Sequence, residues 1–242
     1  STTVIGSDLT DAAGYDGSGW NVAVLDTGVR LTHEFFNTGM DKIADAAQAC
    51  FSFAADCPNG LTSMFGAGAG APCDYSTSCD HGTHVAGIAA GFGPGGPTEN
   101  PPEHGVASGA GIVPVNVFSD DDGDPITFFS DVILALDWVN ANRDTFSIAS
   151  VNMSLGDGSN YTEPCDDIGG SQIEDMKDAI DSLRAAGIPT VIASGNSGFT
   201  TGMAAPACIS TAVSVGSTDD GDDVSSFSNV SANLSLLAPG ES

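Results

Sequence analysis

The sequence predicts an α/β fold in which a central, mostly parallel sheet is flanked by helices. Short apolar segments rich in Val, Ile and Ala alternate with segments of helical periodicity, as expected when crossover helices join parallel strands. Most of the strand-like segments are apolar on both faces, which is typical of central strands. The 242 residues, 41% of them hydrophobic, are enough for one large core, so we expect a single domain over residues 1–242.

Five buried strands are expected where short apolar runs end at turn-forming residues. The carboxyl ends of parallel strands meet at one edge of an open α/β sheet, and active sites gather at that edge. Residues that directly follow the strands are therefore the first candidates for chemistry. The predicted strands are Asn21–Asp26, Gly111–Val117, Ala149–Met153, Pro189–Ala193 and Ala212–Gly216.

Two helices are expected from apolar residues at helical spacing, over Ser171–Arg184 and Ser130–Asn142. Ser171 followed three residues later by Glu174 predicts a capping box at the start of the first of them. Gly187 is its expected stop. The segments rich in Gly, Ala and Pro, which predict surface loops, are residues 66–72 and 91–102.

The chain is strongly acidic, with 5 Lys and Arg against 32 Asp and Glu and a net charge of −27. A surface of this sign repels phosphate backbones and anionic lipid, which argues against nucleic acid and membranes as partners. There is also no apolar run of membrane-spanning length. The acidity fits either a hydrated surface suited to saline or calcium-containing surroundings or an affinity for basic substrates, and the scatter of the acids favours the first.

Six cysteines, an even number with no close CxxC pair, predict disulfides rather than a zinc or redox site. Six cysteines allow 15 pairings, and the sequence does not choose among them. One of these pairings closes two short loops and one long loop: Cys50–Cys57, Cys73–Cys79 and Cys165–Cys208.

The chain starts at Ser1 without a basic flank or an apolar leader, so we expect a processed, secreted product.

Asp26 lies in the segment AVLDTGV, where an apolar strand gives way to a turn. Its carboxylate is therefore expected at the carboxyl edge of the sheet, largely desolvated. A lone aspartate after a strand is more often a helix cap or a loop anchor, and the following Thr27 and Gly28 fit that reading too. Asp26 becomes a catalytic candidate only together with the motifs below.

His81 opens the segment HGTHVAGIAAG, whose small residues predict a helix that other elements can approach closely. A histidine at the start of such a helix is expected to face the sheet edge. His81 and His84 could instead form a metal-ligand pair, but their i, i+3 spacing does not match the HExxH pattern of zinc proteases. The segment therefore favours acid–base chemistry over zinc.

Asn196 lies in SGNSG, directly after the predicted strand that ends at Ala193. Its side-chain amide, on a glycine-flanked turn, can donate to a developing oxyanion. A turn residue that tolerates a left-handed backbone is the alternative interpretation. The segment SVNMSLG, residues 150–156, runs from a strand into Ser and Gly, whose backbone groups can pair with an extended peptide.

Taken together, DTG, HGTHVAG, NMSLG and SGN, in this order and with 55 residues from Asp26 to His81, resemble the subtilisin-like serine proteases, or subtilases. The resemblance covers nearly the whole chain and implies the three-layer subtilisin-like fold. It also implies that Asp26 orients His81 and stabilises its imidazolium, and that His81 acts as general base and then general acid. Asn196 would donate to the oxyanion.

The resemblance further implies a substrate site and its partners. Two short segments would form the walls of the primary specificity pocket, with the peptide backbone bound antiparallel along the first. Polypeptide substrates are the expected partners, and a propeptide or protein inhibitor is another partner that the family implies. The two walls would be Ser154, Leu155 and Gly156 on one side and Ala193, Ser194 and Gly195 on the other.

No cofactor is required for this chemistry, but the family often binds structural calcium. Asp120, Asp122 and Asp124 around Gly123 offer oxygen ligands in a loop. The EF-hand pattern fails because its acid at the twelfth position is lacking. A solvated acidic turn explains the cluster equally well, so both interpretations stay open.

The chain departs from the family pattern at the nucleophile. In subtilases the serine follows an APG turn, at the start of a helix that opens with a GTSMA-like motif. Here the turn at residues 238–240 is followed only by Glu241 and Ser242, and no GTS occurs. We therefore expect a C-terminally incomplete catalytic domain, nearly inactive alone, of a secreted serine endopeptidase. The alternative is an inactive subtilase-like module that binds extended peptides.

Overall fold

The computed structural model describes residues 2–36, 42–93 and 104–241. Residues 6–149 form a first compact unit, and residues 150–241, together with residues 3–5, form a second. Two short helices, α1 (Thr2–Ile5) and α2 (Ser7–Ala12), begin the chain.

The first unit contains a four-stranded arrangement in the order β1-β4-β2-β3. Strands β1, β4 and β2 run parallel, and β3 pairs antiparallel with β2 at the edge. Asp26, the last residue of β1, lies opposite Asn116 at the end of β4. The strands are β1 (Asn21–Asp26), β2 (Ala49–Phe51), β3 (Ser63–Phe65) and β4 (Gly111–Asn116).

Two helices pack on this sheet, α3 (His81–Ala90) against β1 and β4, and α4 (Phe129–Asn142) against β1 and β2. Val22 and Val24 of β1 pack with the alanines of α3 in one apolar cluster. The alternating Ala23 and Leu25 are fully buried as well. Both faces of β1 are therefore covered, which explains why this strand is apolar on both sides. The helix predicted over residues 130–142 is confirmed within one residue.

A two-stranded hairpin, β5 (Phe118–Asp121) and β6 (Asp124–Thr127), occupies the aspartate-rich segment, for which the sequence left a calcium-binding loop and a solvated acidic turn open. Asp122 and Gly123 form its turn, with φ angles of 51° and 94°. An Asp-Gly pair suits such a turn because both of its central residues need positive φ. The solvated acidic turn, one of the two interpretations left open for this segment, is therefore present, whereas the two strands beside it were not predicted.

The second unit contains four parallel strands in the order β7-β8-β9-β10. Helix α5 (Gln172–Ala185) packs against β8 and buries Ile173, Met176, Ile180 and Leu183, the stripe expected from its sequence. The strands are β7 (Ile148–Met153), β8 (Thr190–Ala193), β9 (Val213–Thr218) and β10 (Leu236–Pro239).

The ends of α5 test two predictions. The stop at Gly187 is confirmed: Gly187 has a φ of 83°, and the N–H of Ile188 donates to the carbonyl of Leu183 at 3.0 Å, as in a Schellman motif. The capping box was wrong, because the Ser171 hydroxyl makes no cap hydrogen bond. Instead, Glu174 Oε2 accepts from the N–H of Gly170 at 3.1 Å, one residue earlier than expected.

The predicted surface loop at residues 66–72 is partly buried, since Ala69 and Gly70 are enclosed and the Gly70 carbonyl accepts from the N–H of Val29. Of the second predicted loop, residues 94–102 lie outside the described residues. No helix in the described part of the chain is long and apolar enough to cross a membrane. Three disulfides are present, and they are the pairs Cys50–Cys57, Cys73–Cys79 and Cys165–Cys208.

Candidate active site

Asp26 ends β1 in the first unit, and its side chain is completely buried. Its Oδ1 accepts a hydrogen bond from the N–H of Thr27 at 2.7 Å and lies 2.8 Å from His81 Nδ1. Its Oδ2 is buried and has no hydrogen-bond partner among the described residues. A buried carboxylate with one oxygen fixed in this way can hold a neighbouring donor in a single orientation.

His81 is the first residue of α3, and 48% of its side chain is exposed while that of Asp26 is 0% exposed. An ionised carboxylate can only accept, so His81 Nδ1 carries the proton in this pair and Nε2 is the basic nitrogen of the neutral ring. The hydrogen bond to Asp26 raises the pKa of His81 above its ordinary value, against the opposing effect of partial burial. The pair therefore presents an accessible base supported by a buried carboxylate.

Thr27 ties the start of α3 to the end of β1, a role that the sequence did not reveal. Its hydroxyl donates to the carbonyl of Cys79 at 2.8 Å and accepts from the N–H of Gly82 at 3.0 Å. These two partners flank His81 along the chain. The Thr27 carbonyl also accepts from the N–H of Cys73, which is joined to Cys79 by a disulfide. One side chain thus fixes the backbone on both sides of His81.

Two glycines allow the close approach of α3 to the β1 turn. A Cβ on Gly82 would lie 2.3 Å from the carbonyl oxygen of Gly28 and 3.0 Å from Asp26 Oδ1. Gly28 has a φ of 91°, and a Cβ there would lie 2.2 Å from the carbonyl oxygen of Ala71. Only glycine fits at either position without a backbone shift. The expectation that small residues after His81 permit close packing is confirmed at Gly82.

Asn196 lies in the second unit, on the turn that follows β8. Its side chain is exposed and makes no hydrogen bond to another described residue. Gly195 and Gly198, which flank the turn, have φ angles of 110° and 66°. The glycine-flanked turn expected from SGNSG is therefore present, and its amide is free to meet a ligand.

The side chain of Asn229 makes hydrogen bonds to the backbone of this turn. Asn229 was not identified from the sequence. It is completely buried, and its Oδ1 accepts from the N–H groups of Ser197 and Phe199, each at 3.0 Å. Its Nδ2 donates to the carbonyl of Ser194 at 3.0 Å. The separation of 30 to 35 residues between Asn229 and these partners explains why no local pattern could reveal the contact.

The two predicted pocket walls follow the adjacent parallel strands β7 and β8, within the second unit. Ala204 lies beside both: its Cβ is 3.3 Å from where a Cβ on Gly156 would stand and 3.2 Å from where one on Gly195 would stand. Its N–H donates to the carbonyl of Ser194 at 3.0 Å. Asp157 fixes the same segment, because its Oδ1 accepts from the N–H of Ala205 at 3.0 Å. Ala205 precedes a cis-proline, Pro206.

The structure thus brings Asp26 and His81 together in the first unit. In the second unit it brings together the two predicted pocket walls and the turn that carries Asn196.

The acidic candidates for calcium lie on the β5–β6 hairpin, where Asp120 Oδ1 accepts from the N–H of Gly123 at 2.6 Å. Across residues 2–36, 42–93 and 104–241 there is no group of three or more His, Cys, Asp or Glu side chains arranged to hold a metal ion. The hairpin turn accounts for the aspartates without a metal, and calcium there stays a prediction.

Comparison with known proteins identifies the family of the chain. The Subtilase family matches residues 17–242. The chain is 34% identical to an extracellular serine proteinase of Thermus sp. (strain Rt41A), over 93% of this chain and 43% of that protein. It is 33% identical to alkaline serine exoprotease A of Vibrio alginolyticus, over 96% of this chain and 34% of that protein. The chain therefore spans less than half the length of these relatives.

A solved structure gives the same assignment. The crystal structure of a cold adapted subtilisin-like serine proteinase matches with a TM-score of 0.64 and 30% identity, over 93% of this chain and 64% of that one. This similarity confirms the predicted fold class, an α/β fold with a mostly parallel central sheet flanked by helices. With the family match over residues 17–242, it follows that this chain belongs to the subtilase family.

Proposed function

We propose that the protein is a secreted serine endopeptidase and that Asp26, His81 and Asn196 belong to its active site. The observation that carries the proposal is the 2.8 Å hydrogen bond from His81 Nδ1 to the buried Asp26 carboxylate. Secretion is supported by the three disulfides and by a relative named as an extracellular proteinase.

In the proposed reaction His81 moves the protons. Its Nε2 takes the proton of a serine hydroxyl while the serine oxygen bonds to the substrate's carbonyl carbon. Asp26 stabilises the imidazolium that forms and keeps its Nδ1–H directed inward. When the carbon–nitrogen bond of the substrate breaks, the imidazolium gives the proton to the leaving amine. Water then attacks the ester formed with the serine: His81 takes a proton from the water and gives it to the serine oxygen as the acid product leaves.

Asn196 and the two pocket walls would act on the substrate itself. The carbonyl oxygen gains negative charge as the tetrahedral intermediate forms, and an exposed amide on a rigid turn can donate to it. Residues 154–156 supply backbone groups for an extended peptide, and residues 193–195 lie at the end of the adjacent strand β8 and directly after it. Ala204, beside Gly156 and Gly195, would then line the base of the pocket.

The serine is assigned to no residue of this chain, because no GTS occurs among the 242 residues. We propose that the complete protease supplies it from sequence beyond Ser242. The test is to express the full-length gene product, treat it with a fluorophosphonate probe and identify the labelled peptide by mass spectrometry. We expect one labelled serine outside this chain, and loss of labelling in the His81→Ala variant.

Two outcomes would contradict the proposal. A folded full-length product with its disulfides formed but with no labelling and no peptidase activity would leave the inactive peptide-binding module as the better explanation. Labelling that persists in His81→Ala at the original rate would show that His81 is not the base. Thr145→Ala, a change at an exposed residue between α4 and β7, is the control for nonspecific effects of mutation.

A further inference from the structure

The turn that carries Asn196 is held mainly by a segment about 30 residues further along the chain. Three backbone hydrogen bonds join the two segments: Gly198 N–H to the Phe227 carbonyl at 2.7 Å, Asn229 N–H to the Gly195 carbonyl at 3.0 Å, and Val230 N–H to the Phe199 carbonyl at 2.7 Å. The side chain of Asn229 lies within this ladder and is 0% exposed. The turn is thus hydrogen-bonded to the segment of residues 227–230.

The side chain of Asn229 satisfies groups that the turn itself leaves unpaired. Its Oδ1 accepts two N–H groups, those of Ser197 and Phe199, at 3.0 Å each. Its Nδ2 donates to the Ser194 carbonyl at 3.0 Å, and the Asn229 carbonyl accepts the Ser194 hydroxyl at 2.7 Å. The bonds therefore reach the turn on both sides of Asn196. The bonds to Ser194 are buried and those to Ser197 and Phe199 are partly buried; leaving such groups unpaired is costly, so the turn depends on these bonds for its shape.

The contact is also tight. A Cβ on Gly195 would lie 2.3 Å from Asn229 Nδ2, so the amide packs directly under the backbone that precedes Asn196. A planar amide offers an acceptor and a donor in fixed directions, and no apolar side chain of that size can replace both. Any displacement of Asn229 must therefore move the turn or leave its N–H groups unpaired.

We propose that Asn229 is a positioning residue that holds the Asn196 amide in line with the oxyanion. This inference rests on the proposed function, because it assumes that Asn196 donates to the developing charge. An oxyanion donor acts through preorganised geometry, and a small misplacement lowers the rate of the chemical step. Loss of Asn229 should therefore lower kcat through Asn196, beyond any effect on folding.

The test uses the full-length protease and a double-mutant cycle. Removing one oxyanion donor costs about 10²–10³ in kcat, as in subtilisin, and we expect this loss in Asn196→Ala. We expect Asn229→Ala to lower kcat on the order of 10-fold with a smaller change in KM. Asn229→Ser, whose hydroxyl can accept one of the two N–H groups, should lose less and carries the test if Asn229→Ala fails to fold. Added to Asn196→Ala, either Asn229 change should have almost no further effect on kcat.

A matched control and a structural readout separate positioning from stability. Ser214→Ala removes the hydroxyl of another buried residue of the second unit, which accepts from the N–H of Ser235 at 3.0 Å and contacts its hydroxyl at 3.3 Å, and should leave kcat unchanged. Hydrogen exchange measured by mass spectrometry should become faster in residues 194–199 of the Asn229 variants, because two of their N–H groups lose their acceptor in Asn229→Ala and one loses it in Asn229→Ser.

Each result decides for or against the proposal. If the Asn229 variants lose the same factor of kcat with and without Asn196, the positioning role is overturned. Unchanged kcat in Asn229→Ala would overturn it as well. If the parent is an active protease but Asn196→Ala keeps full kcat, the oxyanion assignment is wrong and the positioning role falls with it. A parent without peptidase activity would instead refute the proposed function, and that outcome is recognisable before any Asn229 variant is made.

Discussion

Asp26 and His81 show how far individual residues could be assigned from sequence. Both lie in distinctive motifs that placed each of them at the sheet edge, and the family resemblance implied that Asp26 orients His81; in the structure Asp26 Oδ1 lies 2.8 Å from His81 Nδ1. Thr27, Asn229 and Ala204 were not identified, because hydroxyl, amide and methyl groups of this kind are common throughout proteins. Their importance comes from contacts between distant segments, and no local pattern encodes those contacts.

In the proposed mechanism, the hydrogen bond to Asp26 influences the pH at which His81 can act as a base, because it raises the pKa of His81. A general base must be neutral, so activity should rise as the pH passes upward through the pKa of His81. Asp26 raises that pKa, and Asp26→Asn should therefore move the acid limb of the kcat/KM profile to lower pH. The plateau should fall by about 10⁴-fold, because an amide donates to Nδ1 and places the proton on the wrong nitrogen.

The same pair links pH to stability. The pKa of His81 is raised in the folded state, so its contribution to stability is full below the unfolded pKa and disappears as the pH rises through the folded pKa. A pH–rate profile and an NMR titration of His81 measure its pKa in the full-length protein, and urea unfolding at several pH values measures the effect on stability. An acid limb that stays in place in Asp26→Asn would mean that another group controls it; Asp137→Asn, at an exposed site on α4, is the control.

At the scale of elements, helix α3 offers a matched pair of glycines for a stability test. Gly82→Ala places a Cβ 2.3 Å from a backbone oxygen and should lower the free energy of unfolding by about 1–3 kcal/mol. Gly87→Ala meets nothing nearer than a Phe35 ring atom at 3.6 Å, and should raise it by about 0.5–1 kcal/mol, because alanine favours helix. Urea unfolding of the two variants provides the measurement. Equal effects at the two positions would show that the close approach is not needed.

Long buried elements were the ones that sequence could predict. The five expected strands correspond to β1, β4, β7, β8 and β9, since continuous apolar runs are a strong signal. Strands β2 and β3 were missed because each has only three residues, too few for a period to be recognised. The cap of α5 was misplaced because the N–H of Ser171 donates to the carbonyl of Ile168, so the carboxylate of Glu174 accepts from the N–H of Gly170 instead.

At the scale of the whole molecule, the charge excess is the dominant electrostatic feature. The five Lys and Arg residues leave most of the 32 acids without a cationic neighbour. Lys42 is buried and donates to the carbonyls of Ser108 and Ala110, so it neutralises little of the surface. Three cations form ion pairs among the described residues: Arg30 with Asp80, Arg143 with Asp144, and Lys177 with Asp181.

This imbalance predicts that salt stabilises the fold. Repulsion among like charges destabilises the compact state, and the screening length falls from about 10 Å at 0.1 M salt to about 3 Å at 1 M. The urea midpoint of the full-length protein should therefore rise from 0.05 to 1 M NaCl. Replacing four exposed aspartates by asparagine changes the charge of this chain from −27 to −23 and should weaken the dependence. A midpoint that is flat or falls with salt would mean that repulsion does not limit stability. The four positions are Asp45, Asp137, Asp167 and Asp220.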